Sequence, residues 1–527
     1  MALWNTSVSK SPTGNRLIKL LFLVSCGLVA TVTGEPNVFS LPLHRSERRS
    51  VVKRDHAGVL LENDYPYGLY WVNATVGTPG QLVQLQIDTG SSDVWVFGPH
   101  SCVQSTSPCL GGYYDGSQSS TYKLIDRGGF NITYQDNSGA RGDYVSDNFA
   151  IGAVGIKDLT IAVATEATGA GTGTGVMGIG FDSDESIVAS GGKPYKNIID
   201  VMVDQGLINS RAYSLWLNDV GAQTGTILFG GYDTGKFRGK LVALPIQPDQ
   251  TGQITSMSVA WTSLSITDPT QGTQTLTGSN FAQPVILDSG TTLTYIPPDL
   301  YYQVASFANV MSAQNNDGGL VECEVMQSYK GTLDFGFDGA AGPVISVPFS
   351  ELSFPYTDQN GNAEKFDNGN TVCQFGLAPA EENAPLLFGD TFLRSAYVVY
   401  DLDRQQIAIA PTVFNSDITN IVELGPPGSS ATPTWHVANA ISVQQMATGP
   451  PEKPGLFAAG TATVPISFTQ TASGFHLSGS SIPPTSGPSQ SSGSAASSGS
   501  TASGGVLANV AIGSLFVFIG STLLLVA

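Results

Sequence analysis

Apolar and polar residues alternate through Val83-Gln84-Leu85-Gln86-Ile87, and the run ends at Asp88-Thr89-Gly90-Ser91-Ser92. A period of two reads as a strand with one face in a core, and the Thr-Gly pair after the Asp reads as a tight turn. The grammar returns 200 residues later, where Gln283-Pro284-Val285-Ile286-Leu287 leads into Asp288-Ser289-Gly290-Thr291-Thr292. Similar short runs, such as Leu69–Val72 and Thr226–Phe229, recur between Gly, Asn and Asp turns from about 60 to 412. Helical patterns are few, with 196–206 and 298–312 the best candidates. The pattern predicts an all-β body with a few short helices. Two apolar residues and a glycine also recur: Gly178 of Val176-Met177-Gly178 lies 90 residues after Asp88, and Gly389 of Leu387-Phe388-Gly389 lies 101 after Asp288. Two repeated elements in one order predict an internal duplication, with two similar lobes and the carboxylates at their junction.

The ends follow other rules. Lys10, Arg16 and Lys19 precede an apolar run from Leu20 to Val32, with small residues at Thr33-Gly34, so residues 1–34 read as a secretory signal. Residues 35–54 form a basic pro-segment closed by the dibasic pair Lys53-Arg54, with Arg48-Arg49 as an alternative cut, and a zymogen is expected. The lobes are expected at 55–245 and 246–415, followed by a Pro-, Ser-, Thr- and Gly-rich stalk over 416–505 that is too polar to fold. No Asp, Glu, Lys or Arg occurs after Lys453, and residues 506–527 are apolar to the last. A polar spacer and a terminal apolar tail without flanking Lys or Arg read as a GPI signal, with Gly499 or Ser503 as the attachment residue. The expected location is the secretory pathway and then the cell surface, at the outer face of the plasma membrane and in the wall.

Composition agrees with a secreted β protein: of 527 residues only 12% are charged, and 61 are glycine. Residues 1–54 hold 8 of 23 basic and 2 of 42 acidic side chains, which leaves 15 − 40 = −25 from Asp55 onward. Such a body disfavours nucleic acid and attracts basic substrates. Of five cysteines, Cys26 lies in the signal. The remaining four allow three pairings, of which Cys102–Cys109 with Cys323–Cys373 is the simplest. No CxxC or HExxH occurs and five histidines are scattered, so no metal and no cofactor are expected. Asn73-Ala74-Thr75 and Asn131-Ile132-Thr133 are N-glycosylation sequons.

Two carboxylates brought face to face share one proton, because both cannot ionise cheaply at close range. Asp88 and Asp288 are therefore the candidate general base and general acid. Other patterns carry less. Asp233-Thr234-Gly235 repeats the triplet without an apolar strand before it; Gly173–Gly178 fits GxGxxG without a strand–helix unit; Arg141-Gly142-Asp143 sits in a predicted strand. No GxSxG elbow is present.

From about Tyr67 to Pro411 the chain resembles the pepsin-type aspartic proteases. The likeness is carried by Gly77-Thr78-Pro79, Asp88–Ser92, Val94-Trp95-Val96, Ile132-Thr133-Tyr134, Phe229-Gly230-Gly231, Asp288–Thr292 and Leu387–Arg394. It implies a bilobal fold whose cleft takes an extended peptide, with Asp88 and Asp288 carrying the chemistry beside Gly90 and Gly290, and Ser91 and Thr291 as hydrogen-bonding neighbours. It also implies pepstatin binding, a monomer, and a flap carrying Tyr134 near Trp95. Gln135 departs from the glycine usual after that tyrosine. Asp136 matches an Asp of several fungal relatives, a counter-charge for substrate Lys or Arg; otherwise it is a solvated turn residue. Together with the signal, pro-segment, stalk and tail, the layout resembles the fungal GPI-anchored yapsin-like group and implies cleavage next to basic residues. A broad-specificity acid protease with apolar preference, and an inactive pepsin-fold wall or binding protein, are the alternatives.

Overall fold

The computed structural model describes residues 37–45 and 70–428, except 105–108, 110, 136–137, 169–172, 223, 250–251, 312–317, 340–341, 357–361 and 383, and except the side chains of 44–45 and 102–104. Lys53, Arg54, Asp136, Gly499 and Ser503 lie outside the described residues, as do the signal, the polar stalk beyond 428 and the apolar tail.

The body is mostly β. A thirteen-stranded sheet runs in the order Val242–Pro245, Gln406–Pro411, Ala396–Asp401, Ala212–Trp216, Thr224–Phe229, Phe39–Arg45, Tyr70–Val76, Gln81–Asp88, Gly175–Gly178, Val94–Phe97, Val154–Thr168, Gly139–Ile151 and Lys123–Thr133. Tyr70–Val76 also pairs with Gly139–Ile151, which closes the six strands from Tyr70–Val76 to Gly139–Ile151 in that order into a barrel. A second, eight-stranded sheet is built on Ser258–Asp268, Gln283–Leu287, Thr294–Ile296, Thr332–Phe337 and Leu386–Phe388. The two sheets form two lobes of one all-β, bilobal fold, and helices are short, as at Ile198–Asp204 and Pro298–Ala308.

The duplication is topological as well as sequential. Gln81–Asp88 pairs in parallel with Gly175–Gly178, with Asp88 opposite Gly178; Gln283–Leu287 pairs in parallel with Leu386–Phe388, with Leu287 opposite Phe388. In each half the strand after the motif, Val94–Phe97 or Thr294–Ile296, adds antiparallel to the other side of that parallel partner. Each Asp is thereby held between strands, and the period of two places Leu85, Ile87, Val285 and Leu287 in the core with no exposed surface.

Two segments outside the expected lobe bounds take part in the sheets. Phe39–Arg45, inside the expected pro-segment, is an internal strand of the large sheet: Phe39 to His44 pair with Phe229 to Thr224, and His44 and Arg45 with Trp71 and Tyr70. Leu41 and Leu43 are buried there. At the other end, the fold continues past 415, because Ile421–Glu423 pairs with Gly231–Asp233 and Leu424 is fully buried. Asp233 accepts from the Gly235 and Asn420 N–H groups at 2.9 and 2.7 Å, so the third Asp-Thr-Gly triplet is the dock for this strap.

Cys323 and Cys373 form a disulfide with Cα atoms 5.1 Å apart. Cys109 is disulfide-bonded too, while the side chain of Cys102 lies outside the described residues.

Candidate active site

Asp88 and Asp288 are both fully buried, and each is cradled by its own turn. Asp88 Oδ1 accepts from the Gly90 N–H at 2.8 Å, and its Oδ2 accepts from Ser91 Oγ at 2.6 Å. The second half repeats this: Asp288 Oδ1 accepts from the Gly290 N–H at 2.7 Å, and Oδ2 from Thr291 Oγ1 at 2.5 Å. The tripeptide turn makes both bonds local: a carboxylate two residues before an N–H and three before a hydroxyl closes an Asx-type ring.

The residues between complete the symmetry. Thr89 Oγ1 donates to the Leu287 carbonyl at 2.8 Å, and Ser289 Oγ donates to the Ile87 carbonyl at 2.9 Å. The Ser289 N–H reaches Thr89 Oγ1 at 3.0 Å, and the Thr89 N–H reaches Ser289 Oγ at 3.3 Å. Each motif thus hydrogen-bonds the strand that delivers the other, and the substitution of Ser289 for threonine keeps the hydroxyl these bonds need.

Glycine is required at both third positions. A Cβ on Gly90 would stand 2.7 Å from Asp288 Cγ, and one on Gly290 would stand 2.4 Å from Asp88 Oδ1. The two turns therefore approach until each glycine lies against the opposite carboxyl. Burial, then the charge of Asp288, raises Asp88 well above the ordinary carboxyl range; burial also raises Asp288, against the pull of Thr291 and the Gly290 N–H. The pair retains one proton in acid, and that proton belongs to the pair.

Tyr134 stands at the tip of the hairpin formed by Lys123–Thr133 and Gly139–Ile151, where Thr133 pairs with Gly139. Its hydroxyl accepts from Trp95 Nε1 at 2.5 Å, and it is buried with Trp95, Phe97, Phe130 and Tyr144. Ring centroids of Trp95–Phe97 and Phe130–Tyr144 lie 5.2 and 5.6 Å apart, edge to face. Of the sequons, Asn73 and Asn131 are exposed on strands. Arg141 of Arg-Gly-Asp is paired with Glu166 at 3.5 Å within the hairpin's return strand.

Sequence reading missed a second group of buried acids behind the first motif. Asp93, fully buried, accepts from the hydroxyls of Tyr144 and Tyr195 at 2.8 Å each and from the Ser186 N–H at 2.7 Å. Glu185, also fully buried, takes the Tyr195 N–H on Oε2 at 2.8 Å, and its Oε1 has no hydrogen-bond partner among the described residues. Burial, reinforced by the charges of Asp93, Asp182 and Asp200, pushes the Glu185 carboxyl up to about 9. Burial raises Asp93 as well. The only available signal was Asp93 itself, one residue beyond a motif whose serines make it look like a polar loop.

A family model described as eukaryotic aspartyl protease matches residues 69–412. The chain is similar to the probable aspartic-type endopeptidase OPSB of Arthroderma benhamiae, 41% identical over 420 residues that cover 78% of this chain and 82% of that one. The protein of the same description from Aspergillus oryzae is 37% identical over 80% of this chain and 87% of its own. Secreted aspartic protease 4 of Candida albicans is 33% identical over 73% and 85%. With the paired motifs, the duplicated topology and these relatives in agreement, the chain belongs to the eukaryotic aspartyl proteases, the pepsin-type aspartic endopeptidases.

Proposed function

We propose that Asp88 and Asp288 are the working pair of this endopeptidase, and that the reciprocal cradle carries the assignment. Each carboxyl has its own N–H and hydroxyl donors, and each touches the glycine of the other turn. The ionised member of the pair takes a proton from a water as that water attacks the peptide carbonyl. The protonated member hydrogen-bonds the carbonyl oxygen as it becomes tetrahedral. Transfer of a proton to the departing amine then breaks the C–N bond. The hairpin carrying Tyr134 acts as the flap that excludes water, and the Trp95 hydrogen bond supports it from below. Inhibition by pepstatin, with Asp288→Asn folded but inactive, tests the pair; turnover by the variant at the wild-type rate sinks the assignment.

The finer reading is a secreted enzyme, made with a signal at 1–34 and a pro-segment cut after Lys53-Arg54, N-glycosylated at Asn73 and Asn131, and held at the cell surface through a stalk and a GPI anchor. It works as a monomer on secreted or surface proteins next to basic residues. The −25 charge from Asp55 onward and Asp136, two residues after Tyr134 in the sequence, support basic specificity. The aromatic group around Tyr134 supports the rival apolar preference. A peptide-library digest separates them: cuts not enriched beside Lys or Arg remove the basic reading. Release of the protein from intact cells by a phosphatidylinositol-specific phospholipase tests the anchor, and retention refutes it.

A further inference from the structure

The hydrogen bonds that cross between the two motifs are mirrored, threonine answering serine at 89 and 289, with one exception. Two residues before each Asp, the first half carries Gln86 and the second Ile286. Gln86 has only 2% of its surface exposed, and its Nε2 donates to the Gly290 carbonyl at 2.9 Å across 204 residues of chain. Ile286, buried at the matching place, cannot return the bond to Gly90. A carboxamide buried in a strand whose buried neighbours include Leu85 and Ile87 has to be hydrogen-bonded to be tolerated. The bond it makes falls on one residue of consequence. Gly290 gives its N–H to Asp288 Oδ1 at 2.7 Å, while a Cβ built on it would meet Asp88 Oδ1 at 2.4 Å, so this glycine touches both carboxyls.

We propose that Gln86 is a positioning residue: from the first lobe it pins Gly290, the residue lodged between the carboxyls, and so fixes the separation across which they share a proton. The proposal rests on Asp88 and Asp288 being the working pair. A fixed, short separation keeps their mutual repulsion high, and this repulsion is one of the causes that hold the proton on the pair. Loosening Gly290 lets the carboxyls part, weakens that repulsion, and lets the proton leave at lower pH. The basic limb of the rate profile then moves toward acid. Tyr213 feels the charges of both carboxyls, and Tyr400 feels those of Asp288 and Asp390. Tyr213 and Tyr400 are fully buried phenols pushed up by burial, so neither titrates in the acid range and neither mimics the effect.

The test measures kcat and KM against pH for wild type, Gln86→Ile, Gln86→Glu and Asp288→Asn, with sites counted by pepstatin titration so that misfolded protein is excluded. Gln86→Ile, which makes the halves alike, is expected to lower kcat per titrated site about 10- to 100-fold with KM within about twofold. Its basic limb is expected to shift to lower pH. Gln86→Glu restores a donor while protonated, so it should approach wild type at the acid end and fall away as it ionises. Wild-type kcat in Gln86→Ile overturns the inference. A fall in kcat with both limbs in place, or Gln86→Glu no better than Gln86→Ile in acid, also overturns it by showing a merely structural role. An active Asp288→Asn refutes the pair itself, which separates the two failures.

Discussion

Glu185→Gln isolates the stability cost of working in acid. In the folded protein burial pushes the Glu185 carboxyl up to about 9, against an ordinary value of 4.5. The unfolded chain therefore releases this proton from pH 4.5 upward while the folded chain holds it until about 9. Between those limits the unfolded state binds fewer protons, so stability falls with rising pH, by about 1.4 kcal/mol per pH unit for one group. Two and a half units separate 4.5 from neutrality, so this single residue removes about 3 kcal/mol by pH 7. A glutamine cannot ionise and carries none of that slope. It adds an N–H donor at a position where Oε1 has no hydrogen-bond partner among the described residues, which costs about 1 kcal/mol at every pH. The two stability curves must cross: wild type is the more stable below about pH 5, the variant above it. Urea unfolding at pH 4 and pH 7, in an Asp288→Asn background to prevent self-digestion, reads this directly. The pH dependence of the two proteins should differ by about 3 kcal/mol. Parallel curves, differing by less than about 1 kcal/mol over the interval, would refute the claim that Glu185 is held as a neutral acid.

Other predictions concern the cradle, the flap and the ends. Gly290→Ala places a methyl 2.4 Å from Asp88 Oδ1, and should abolish turnover while leaving the circular dichroism spectrum near wild type; full activity would mean the turns are not in contact. Trp95→Phe removes the donor to Tyr134 but keeps an aromatic ring, so KM should rise several-fold, with a stability loss of about 1 kcal/mol; an unchanged KM would detach Trp95 from the flap. Because Phe39–Arg45 is paired on both sides, cutting after Arg54 should leave the upstream segment bound, co-eluting with the body on gel filtration until denaturant is added. Its spontaneous loss on dilution would show that the pairing is weak.

Much of the catalytic architecture is written in the chain because it is local. Val83, Leu85 and Ile87 announce a strand, Asp88-Thr89-Gly90 closes its own hydrogen-bonded turn, and the twin at Asp288 repeats both. What escapes is long-range. Nothing in the run Thr89-Gly90 says that a hydroxyl will cross to Leu287, since that bond depends on two turns meeting 198 residues apart. Gln84 and Gln86 look alike as the polar half of an alternating strand, yet only Gln86 faces the other motif. The pairing of the end segments is hidden for a compositional reason. Phe39, Leu41 and Leu43 alternate as a strand should, but basic neighbours at 45, 48 and 49 give the segment the character of a pro-peptide. Ile421–Glu423 is three residues long and followed by prolines, too short for periodicity to register, and it is fixed by partners that precede it by nearly two hundred residues.

That last strand also has a mechanical meaning. The chain leaves the described body at Gly428, and a pull on it from there does not fall first on the large sheet. It is taken by the Arg404–Gly425 contact at 3.1 Å, by buried Leu424, by the pairing of Ile421–Glu423 with Gly231–Asp233, and by the Asp233–Asn420 bond. Next in line is Lys236, which rests 4.3 Å over the Trp216 ring and donates to the Ser416 carbonyl at 2.6 Å. Only after these does tension reach Gln406–Pro411 and, through it, the strands that carry the carboxyls. The strap works like the grip on an electrical cord: a pull on the chain at Gly428 is taken up there before it reaches the strands that set the spacing of Asp88 and Asp288.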